Sequence, residues 1–321
     1  MKKLGSAQNA AEELAEQALL AMAVVDVAAV AYRTALPGVA SPSYHAVESR
    51  TFDVALDGKG PSTFLKVGIT EVADLVNGNV AFQAASRLHG LGFSPKPLHQ
   101  STEQRVFLSE RLDENWRAAK IDELMPYNRV AQLIVMQKSI ADGISFGRPW
   151  SVFDGIDLLW EKLSDSAVKL PADAGWTRAA MTPIRDALAA SGVDLRPAHG
   201  DPHSSNVMIG PGNALMLVDF DMAADLDPYY QLGIQMNELY QFESQMMPLL
   251  EMHDGHVSDK AFHRCRLYAA ADDFYWALRS MLLEARSPRG SVEFLKYAEW
   301  RFLRCRMLVG RPGFEELIRS I

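Results

Sequence analysis

A stretch in the second half of the chain carries side chains whose types and spacing suit phosphoryl transfer. Asp201 and Asn206 lie five residues apart, and Asp219 follows an apolar run that ends at Val218. A carboxylate can accept the proton of a hydroxyl group, and hard oxygen ligands are those that Mg²⁺ prefers. We therefore predict that Asp201 is catalytic and that Asn206 and Asp219 bind magnesium. His199, in the same catalytic loop, is expected to brace it by hydrogen bonding rather than to act as a base.

Two other interpretations of this stretch stay open. In the first, it is a polar loop followed by a buried strand and a solvated Asp-Phe-Asp turn. In the second, His199, Asp201 and His203 bind a transition metal in a hydrolase, because imidazole and carboxylate groups are ligands of such ions. The further ligands of that site would be His253, His256 and His263. A stoichiometric transition metal in the purified protein would favour this interpretation, which leaves Asn206 and Asp219 unexplained.

Length, charge and composition limit the classes of function. The chain has 321 residues, of which 48% are hydrophobic and 22% are charged, and this is sufficient for two globular lobes. The net charge of −8 argues against a nucleic-acid partner, because phosphate backbones require basic surfaces. A few local cations together with magnesium would still suffice to bind a nucleotide. We therefore expect a small-molecule partner.

The N-terminus and the two cysteines indicate a cytoplasmic protein. The first residues, 1–3, resemble the start of a signal peptide, but acidic side chains such as Glu12 and Glu16 interrupt the apolar run that follows. No segment reaches the roughly 18 apolar residues of a membrane span. Cys265 and Cys305 lie in helical patterns and are expected to be reduced thiols. We therefore expect no contact with a membrane.

Hydrophobic periodicity predicts a small lobe of strands, residues 1–112, followed by a helical lobe, residues 113–321. A long helix is expected from about Ala7 to Leu36. The strands predicted after it are Arg50–Leu56, Thr63–Val67, Lys96–His99 and Arg105–Leu108, with a helix over Asn77–Leu91. The helices predicted beyond residue 112 are Tyr127–Asp142, Val152–Leu163, Arg178–Ser191, Tyr229–Met252, Asp259–Ala285 and Ser291–Val309. A hairpin over residues 207–218 interrupts them.

The motif and its surroundings resemble the aminoglycoside phosphotransferase and choline kinase superfamily, and most closely its choline and ethanolamine kinase-like branch. The resemblance is carried by His199, Asp201, Asn206 and Asp219-Phe220-Asp221, and by the segment from Asp227-Pro228 to Leu232-Gly233. The C-terminal stretches around Trp276 and Trp300 are also similar to that branch. The likeness covers roughly residue 49 to the C-terminus.

The resemblance implies an α+β, protein-kinase-like bilobal fold, with a small antiparallel-sheet lobe and a mainly helical second lobe. It also implies an ATP- and Mg²⁺-dependent kinase that phosphorylates a hydroxyl of a small polar metabolite. Lys66 would grip the phosphates, and strand alternation directs its side chain away from those of its two apolar neighbours. Ser109 and Arg111 would belong to the connector, residues 109–112, whose backbone holds adenine.

The sequence differs from the family pattern at three places, two near the predicted nucleotide site and one at Gln231. The glutamate that usually pairs with the lysine falls near Asn79 or Gln83, and Gln83 could offer only a hydrogen bond. The turn before Ser49 lacks glycine, although Ser49 and its N–H could still reach a phosphate. Gln231 stands where the family has an aspartate. These changes support an alternative hypothesis, a weakly active or inactive nucleotide-binding pseudokinase.

The acceptor is expected to contact the helical lobe. Choline kinases hold a quaternary ammonium against aromatic faces by cation–π attraction. Trp276 supplies one such face or packs in the core, but Arg279 stands where a second tryptophan is expected and suits a carboxylate or a phosphate. Asp225 and Glu238 could pair with an amine. We therefore leave amino alcohols, amino sugars, thiamine-like compounds and hydroxy acids open as acceptors.

Overall fold

Two units make up the chain in a computed structural model, which describes residues 1–22, 27–40 and 44–321. Unit 1 comprises Met1–Ala118 and Ser205–Met222, and unit 2 comprises Ala119–Ser204 and Ala223–Ile321. This division differs from the predicted boundary after residue 112, because the hairpin over residues 207–218 lies in unit 1. Among the described residues, no helix has both the length and the apolar character needed to cross a membrane.

Unit 1 contains a six-stranded antiparallel sheet, which includes the four strands predicted between residues 50 and 108. Its strands are β1 (Lys2–Lys3), β2 (Ala31–Thr34), β3 (Ser49–Ala55), β4 (Thr63–Gly68), β5 (Pro97–Ser101) and β6 (Val106–Glu110). They are ordered β1-β2-β3-β4-β6-β5. Two helices, α1 (Ala10–Ala21) and α2 (Gly78–Gly90), belong to the same unit. The four strands and the helix predicted between residues 50 and 108 are therefore confirmed.

The helix predicted from about Ala7 to Leu36 is wrong from residue 27 onward. Residues 31–34 form β2 instead, with Tyr32 opposite Val54 of β3. Tyr32 is fully buried in the core of unit 1, and its hydroxyl donates a hydrogen bond of 2.6 Å to Glu16 in α1. Pairing across the sheet outweighs the helical composition of the segment. Residues 23–26, within the predicted helix, lie outside the described residues.

The predicted hairpin forms, but it pairs with the first part of the chain. It consists of β9 (Val207–Ile209) and β10 (Leu215–Leu217), and β9 also pairs with β7 (Arg117–Ala118). In addition, the Leu217 N–H donates to the carbonyl oxygen of Phe93 at 2.8 Å. Hydrogen bonds to residues far away in the sequence therefore place the hairpin in unit 1. The local sequence pattern of the hairpin does not indicate that it pairs with β7 or with Phe93.

Unit 2 is mainly helical. Its helices are α3 (Ile121–Leu124), α4 (Tyr127–Ala141), α5 (Val152–Ser164), α6 (Ala174–Ala190), α7 (Pro228–Leu239), α8 (Glu243–Asp254), α9 (Asp259–Arg286), α10 (Phe294–Val309) and α11 (Phe314–Arg319). A two-stranded sheet joins β8 (Arg196–Ala198) to β11 (Ala224–Leu226). The single helix predicted over residues 229–252 is wrong, because α7 and α8 are separated at Tyr240. That residue is extended, and its buried hydroxyl donates to the Met125 carbonyl at 2.6 Å.

Helix α9 forms the centre of unit 2 and packs closely against α7. Gly233 in α7 lies against the backbone of Cys265 in α9, and a Cβ atom at Gly233 would be 2.3 Å from the Cys265 carbonyl oxygen. The contact between α7 and α9 therefore depends on the absence of a side chain at Gly233.

Cys265 and Cys305 are buried free thiols, as predicted, and burial raises the pKa of both.

We expect Gly233→Ala to destabilise unit 2 by about 1–3 kcal/mol or more, because the added methyl group meets backbone that cannot rotate away. Gly175→Ala is the matched control, since Gly175 lies in α6 with open space at its Cβ position. That control should be neutral or stabilising, by up to about 1 kcal/mol. Urea unfolding followed by circular dichroism measures both changes, and equal stabilities of the two variants would contradict this packing.

Candidate active site

A cavity of about 590 Å³ in unit 1 brings together most of the residues predicted for a nucleotide and a metal. Its lining includes Ser49, Lys66, Ser109, Arg111, Asn206 and Asp219. Alternation along β4 explains the position of the lysine, because Leu65 and Val67 pack in the core and Lys66 faces the cavity. The volume is typical of small-molecule binding sites.

Lys66 forms ion pairs with two carboxylates from the segment that follows β10. Its Nζ atom lies 2.6 Å from Asp219 Oδ1 and 2.7 Å from Asp221 Oδ2. Burial lowers the pKa of Lys66, but the charges of Asp219 and Asp221 outweigh it and raise the pKa above its ordinary value. Burial raises the pKa of Asp221, and the charge of Lys66 opposes this only in part. Lys66 therefore carries a fixed positive charge in the cavity.

The predicted hydrogen bond between Gln83 and Lys66 is wrong. Gln83 is exposed on α2, whereas the lysine pairs with Asp219 and Asp221. Asp221 was not predicted as a partner, although the sequence contains a signal for it. That signal is its position, because Asp221 lies only two residues from Asp219 and the residue between them, Phe220, is buried. Asp219 itself has φ = 63°, a left-handed conformation that aspartate adopts more readily than most residues.

Two backbone N–H groups of the predicted connector, residues 109–112, are bonded within the protein. The Arg111 N–H donates to the Ser62 carbonyl at 3.0 Å, and the Glu110 N–H donates to the Lys96 carbonyl at 2.8 Å. These two backbone groups are therefore already engaged rather than directed at an adenine ring. The Arg111 side chain pairs with Asp53 at 2.9 Å, a buried partner on β3 that the sequence pattern did not reveal.

In unit 2, the catalytic loop is braced from two directions. The Asp201 N–H donates to Nδ1 of the buried His199 at 3.3 Å, a contact of the kind expected if His199 braces the loop. Helix α7 supplies the second set of contacts. Gln231 Oε1 accepts a hydrogen bond of 3.0 Å from the Gly200 N–H, and Glu238 accepts from the Ser204 N–H at 2.9 Å. Gln231 is neutral, but it still holds the loop.

The four residues predicted to contact an acceptor are engaged inside unit 2. Asp225 is buried and accepts from the N–H groups of residues 146 and 148 and from the Ser145 hydroxyl. Arg279 is fully buried, and its guanidinium carbon lies 5.3 Å from the ring centre of Trp276, which is also buried. Glu238 binds Ser204, as described above. Asp225, Trp276 and Arg279 are buried and help to pack unit 2, whereas contact of any of the four residues with an acceptor stays a prediction.

The donor set in unit 1 suits magnesium better than a transition metal. Asn206 and Asp219, which supply amide and carboxylate oxygens, both line the cavity. Within the described ranges, no group of three or more His, Cys, Asp or Glu side chains is arranged to hold a metal ion. The histidines proposed for a hydrolase have other partners, with His253 bonded to Asp254 and His263 to Ser320.

Comparison with known proteins assigns the chain to a family. The model of the phosphotransferase enzyme family matches residues 48–268, which is more than half of the chain. The chain belongs to the phosphotransferase enzyme family. No protein among those with curated descriptions matches this phosphotransferase in sequence. The family assignment confirms the resemblance identified from the sequence motifs.

Solved structures confirm the kinase-like fold of this phosphotransferase. A choline/ethanolamine kinase family protein from Mesorhizobium loti has 22% identity and a TM-score of 0.72, over 96% of this chain and 97% of that one. A choline kinase from Streptococcus pneumoniae has 16% identity and a TM-score of 0.74, over 93% and 98%. An aminoglycoside phosphotransferase bound to GDP and kanamycin has 14% identity and a TM-score of 0.58, over 85% and 92%. The family and these neighbours are small-molecule kinases.

Replacing Lys66 by methionine removes the positive charge between Asp219 and Asp221 but keeps a long side chain. The folded protein should then retain carboxyl protons to a higher pH than the unfolded chain does. Because the unfolded state binds fewer protons in that range, the free energy of unfolding should fall, relative to wild type, as the pH rises from about 4 to about 7. Urea unfolding at several pH values tests this, and a deficit that does not grow with pH would contradict the pairing.

The same substitution should weaken nucleotide binding by about tenfold or more, because a phosphate would lose its cation in the cavity. Lys59→Met is the matched control, since Lys59 is exposed on the turn between β3 and β4. Titration calorimetry with ATP and magnesium measures both affinities. If Lys66→Met binds as tightly as Lys59→Met, Lys66 is not a phosphate ligand.

Proposed function

We propose that the protein is an ATP- and Mg²⁺-dependent phosphotransferase that transfers the γ-phosphate of ATP to a hydroxyl of a small polar metabolite. We base this on one observation, that Lys66, Asn206 and Asp219 line a single cavity. A polyphosphate with its metal requires a fixed cation and oxygen ligands, and these residues provide both. AMP and GDP complexes of fold neighbours support a nucleotide as the ligand.

Each residue of the cavity receives a role from its chemistry. Lys66 would hold the α- and β-phosphates, and the Ser49 hydroxyl would reach a phosphate from the start of β3. Ser109 and Arg111 would contact the nucleoside through their side chains. Asn206 and Asp219 would hold magnesium, which neutralises phosphate charge when it is bound.

Asp201 is the group that would act on the acceptor. It would orient the hydroxyl and take its proton while the acceptor oxygen bonds to the γ-phosphorus. The bond between that phosphorus and the oxygen bridging it to the β-phosphate would break, so that ADP leaves with the bonding electrons. The proton would then pass from Asp201 to solvent. His199 would support this step by holding the backbone of Asp201.

The acceptor class follows from the family and from the packing in unit 2. The guanidinium of Arg279 already lies over the ring of Trp276, so this aromatic face holds an internal cation. We therefore do not assign a quaternary ammonium to that face. Amino alcohols, amino sugars and hydroxy acids carry the required hydroxyl group and remain the acceptor classes to be tested.

Asp201→Asn should reduce turnover by at least about a hundredfold while the affinity for ATP and magnesium stays within a few-fold of wild type. The amide keeps the size of the side chain but cannot take up the proton. Asp194→Asn is the matched control, because Asp194 is an exposed aspartate just before β8. ADP release measured with a coupled assay reports turnover, and substantial activity in the Asp201 variant would reject Asp201 as the base.

Asp219→Asn should instead weaken binding of magnesium and ATP, with Asp57→Asn on the β3–β4 turn as its control.

An acceptor screen distinguishes the kinase from the pseudokinase alternative. It would test ethanolamine, choline, aminoglycosides and hydroxy acids, each with ATP and with GTP. Phosphate transfer to any acceptor supports the enzyme, whereas bound ATP with no transfer to any of them favours the pseudokinase.

A further inference from the structure

His203 is a half-buried histidine two residues after Asp201, and none of the roles proposed for the kinase reaction includes it. Its Nδ1 atom is hydrogen bonded to Asp201 Oδ1, and its side chain is only 13% exposed. The ring of Trp276 meets it edge-on, with ring centres 6.1 Å apart. His203 therefore has a fixed position and contacts the carboxylate that would carry out the proton transfer.

The other ring nitrogen of His203 determines which nitrogen carries the hydrogen. Arg301 Nη1 lies 3.2 Å from His203 Nε2. An arginine side chain has donors and no acceptor, so a hydrogen bond here requires a lone pair on Nε2. A neutral ring must then carry its hydrogen on Nδ1, where it donates to Asp201. If the ring takes up a second proton, the Nδ1–H remains and the bond to Asp201 is kept.

Arg301 is itself held by buried charges on α9. Its Nη2 donates to Asp272 Oδ2, and its Nε lies 2.9 Å from Asp273 Oδ1. Asp272 also accepts a hydrogen bond of 2.7 Å from the Tyr230 hydroxyl of α7. All of these groups are buried. Rotating one of them would leave a buried charge unpaired, which is costly, so the network keeps Arg301 directed at His203.

We propose that His203 is a positioning residue for Asp201, and that Arg301 fixes the ring so that its Nδ1–H holds the carboxylate. The terminal torsion of an aspartate side chain is broadly distributed, so a hydrogen bond to one oxygen fixes the plane of the group. This inference rests on the proposed function, because it assigns a partner to the catalytic carboxylate. Burial lowers the pKa of His203, as does the charge of Arg301, but Asp201 and the charge of Glu238 outweigh them and raise it above the ordinary value.

Three substitutions of His203 distinguish the effect of its Nδ1–H donor from the effect of its side-chain size. The amide nitrogen of asparagine is bonded to Cγ, as Nδ1 is in histidine, so His203→Asn keeps a donor toward Asp201. His203→Gln places its amide near the former Nε2 position and keeps a partner for Arg301, but loses that donor. His203→Leu keeps neither. His256→Leu is the control, because His256 lies exposed between α8 and α9.

We expect kcat to fall about 10- to 100-fold in His203→Leu and His203→Gln, the range seen when a partner of a functional group is removed, with KM for ATP unchanged. His203→Asn should retain kcat within a few-fold of wild type. Equal kcat values for the leucine variant and wild type, or for the asparagine and leucine variants, would overturn the inference. Urea unfolding of each variant identifies any loss of rate that is due to misfolding.

A second measurement does not depend on turnover. Nitrogen-15 NMR distinguishes protonated from unprotonated ring nitrogens, and the spectrum of His203→Asn identifies the signals of this residue among the 8 histidines. At a pH above the pKa of His203, we expect a protonated Nδ1 and an unprotonated Nε2. A neutral ring protonated on Nε2 would overturn the inference. If Asp201→Asn is fully active while the ring has the expected tautomer, the proposed function fails and the hydrogen-bonding network stands.

Discussion

The pairing of one half-buried cation, Lys66, is the constraint on which the proposed nucleotide site depends. Lys66 emerges from a strand whose neighbouring side chains are in the core, so its ammonium group must find partners inside the cavity. Asp219 and Asp221 supply them, and this joins β4 to the hairpin, residues 207–218, far along the chain. The family's usual helix glutamate is absent, and a second carboxylate beside the metal-ligand candidate takes its place as the partner of the lysine.

The catalytic loop shows how a neutral side chain can replace a charged one. Gln231 and Glu238 are seven residues apart on α7, so both face the loop, and they accept hydrogen bonds from Gly200 and Ser204. The Gly200 N–H needs an acceptor, which an amide oxygen provides as well as a carboxylate does. Gln231 therefore does not by itself indicate an inactive protein, although in the sequence it supported the pseudokinase hypothesis.

The accuracy of the sequence predictions depends on whether the signal was local. Strands β3 and β4 and helix α9 have strong periodic patterns, and the structure forms them within a few residues of the predicted bounds. Strand β2 was missed because its pairing with β3 outweighs the composition of the segment. The break at Tyr240 was missed because no glycine or proline marks it, and the hydrogen bond from Tyr240 to Met125 joins residues far apart in the sequence.

The sequence by itself indicated the reaction class through local patterns, which are the Asp201–Asn206 spacing, the Asp-Phe-Asp triplet and the strand around Lys66. The family resemblance that these motifs carry implied the fold. The tertiary structure alone decided the partners of those residues. It paired Lys66 with Asp221 rather than Gln83, and it enclosed Arg279 and Trp276 in the core. The physical reason is that a buried polar group needs a hydrogen-bond partner, and tertiary packing determines which group lies within bonding distance. Residue spacing along the chain does not contain that information.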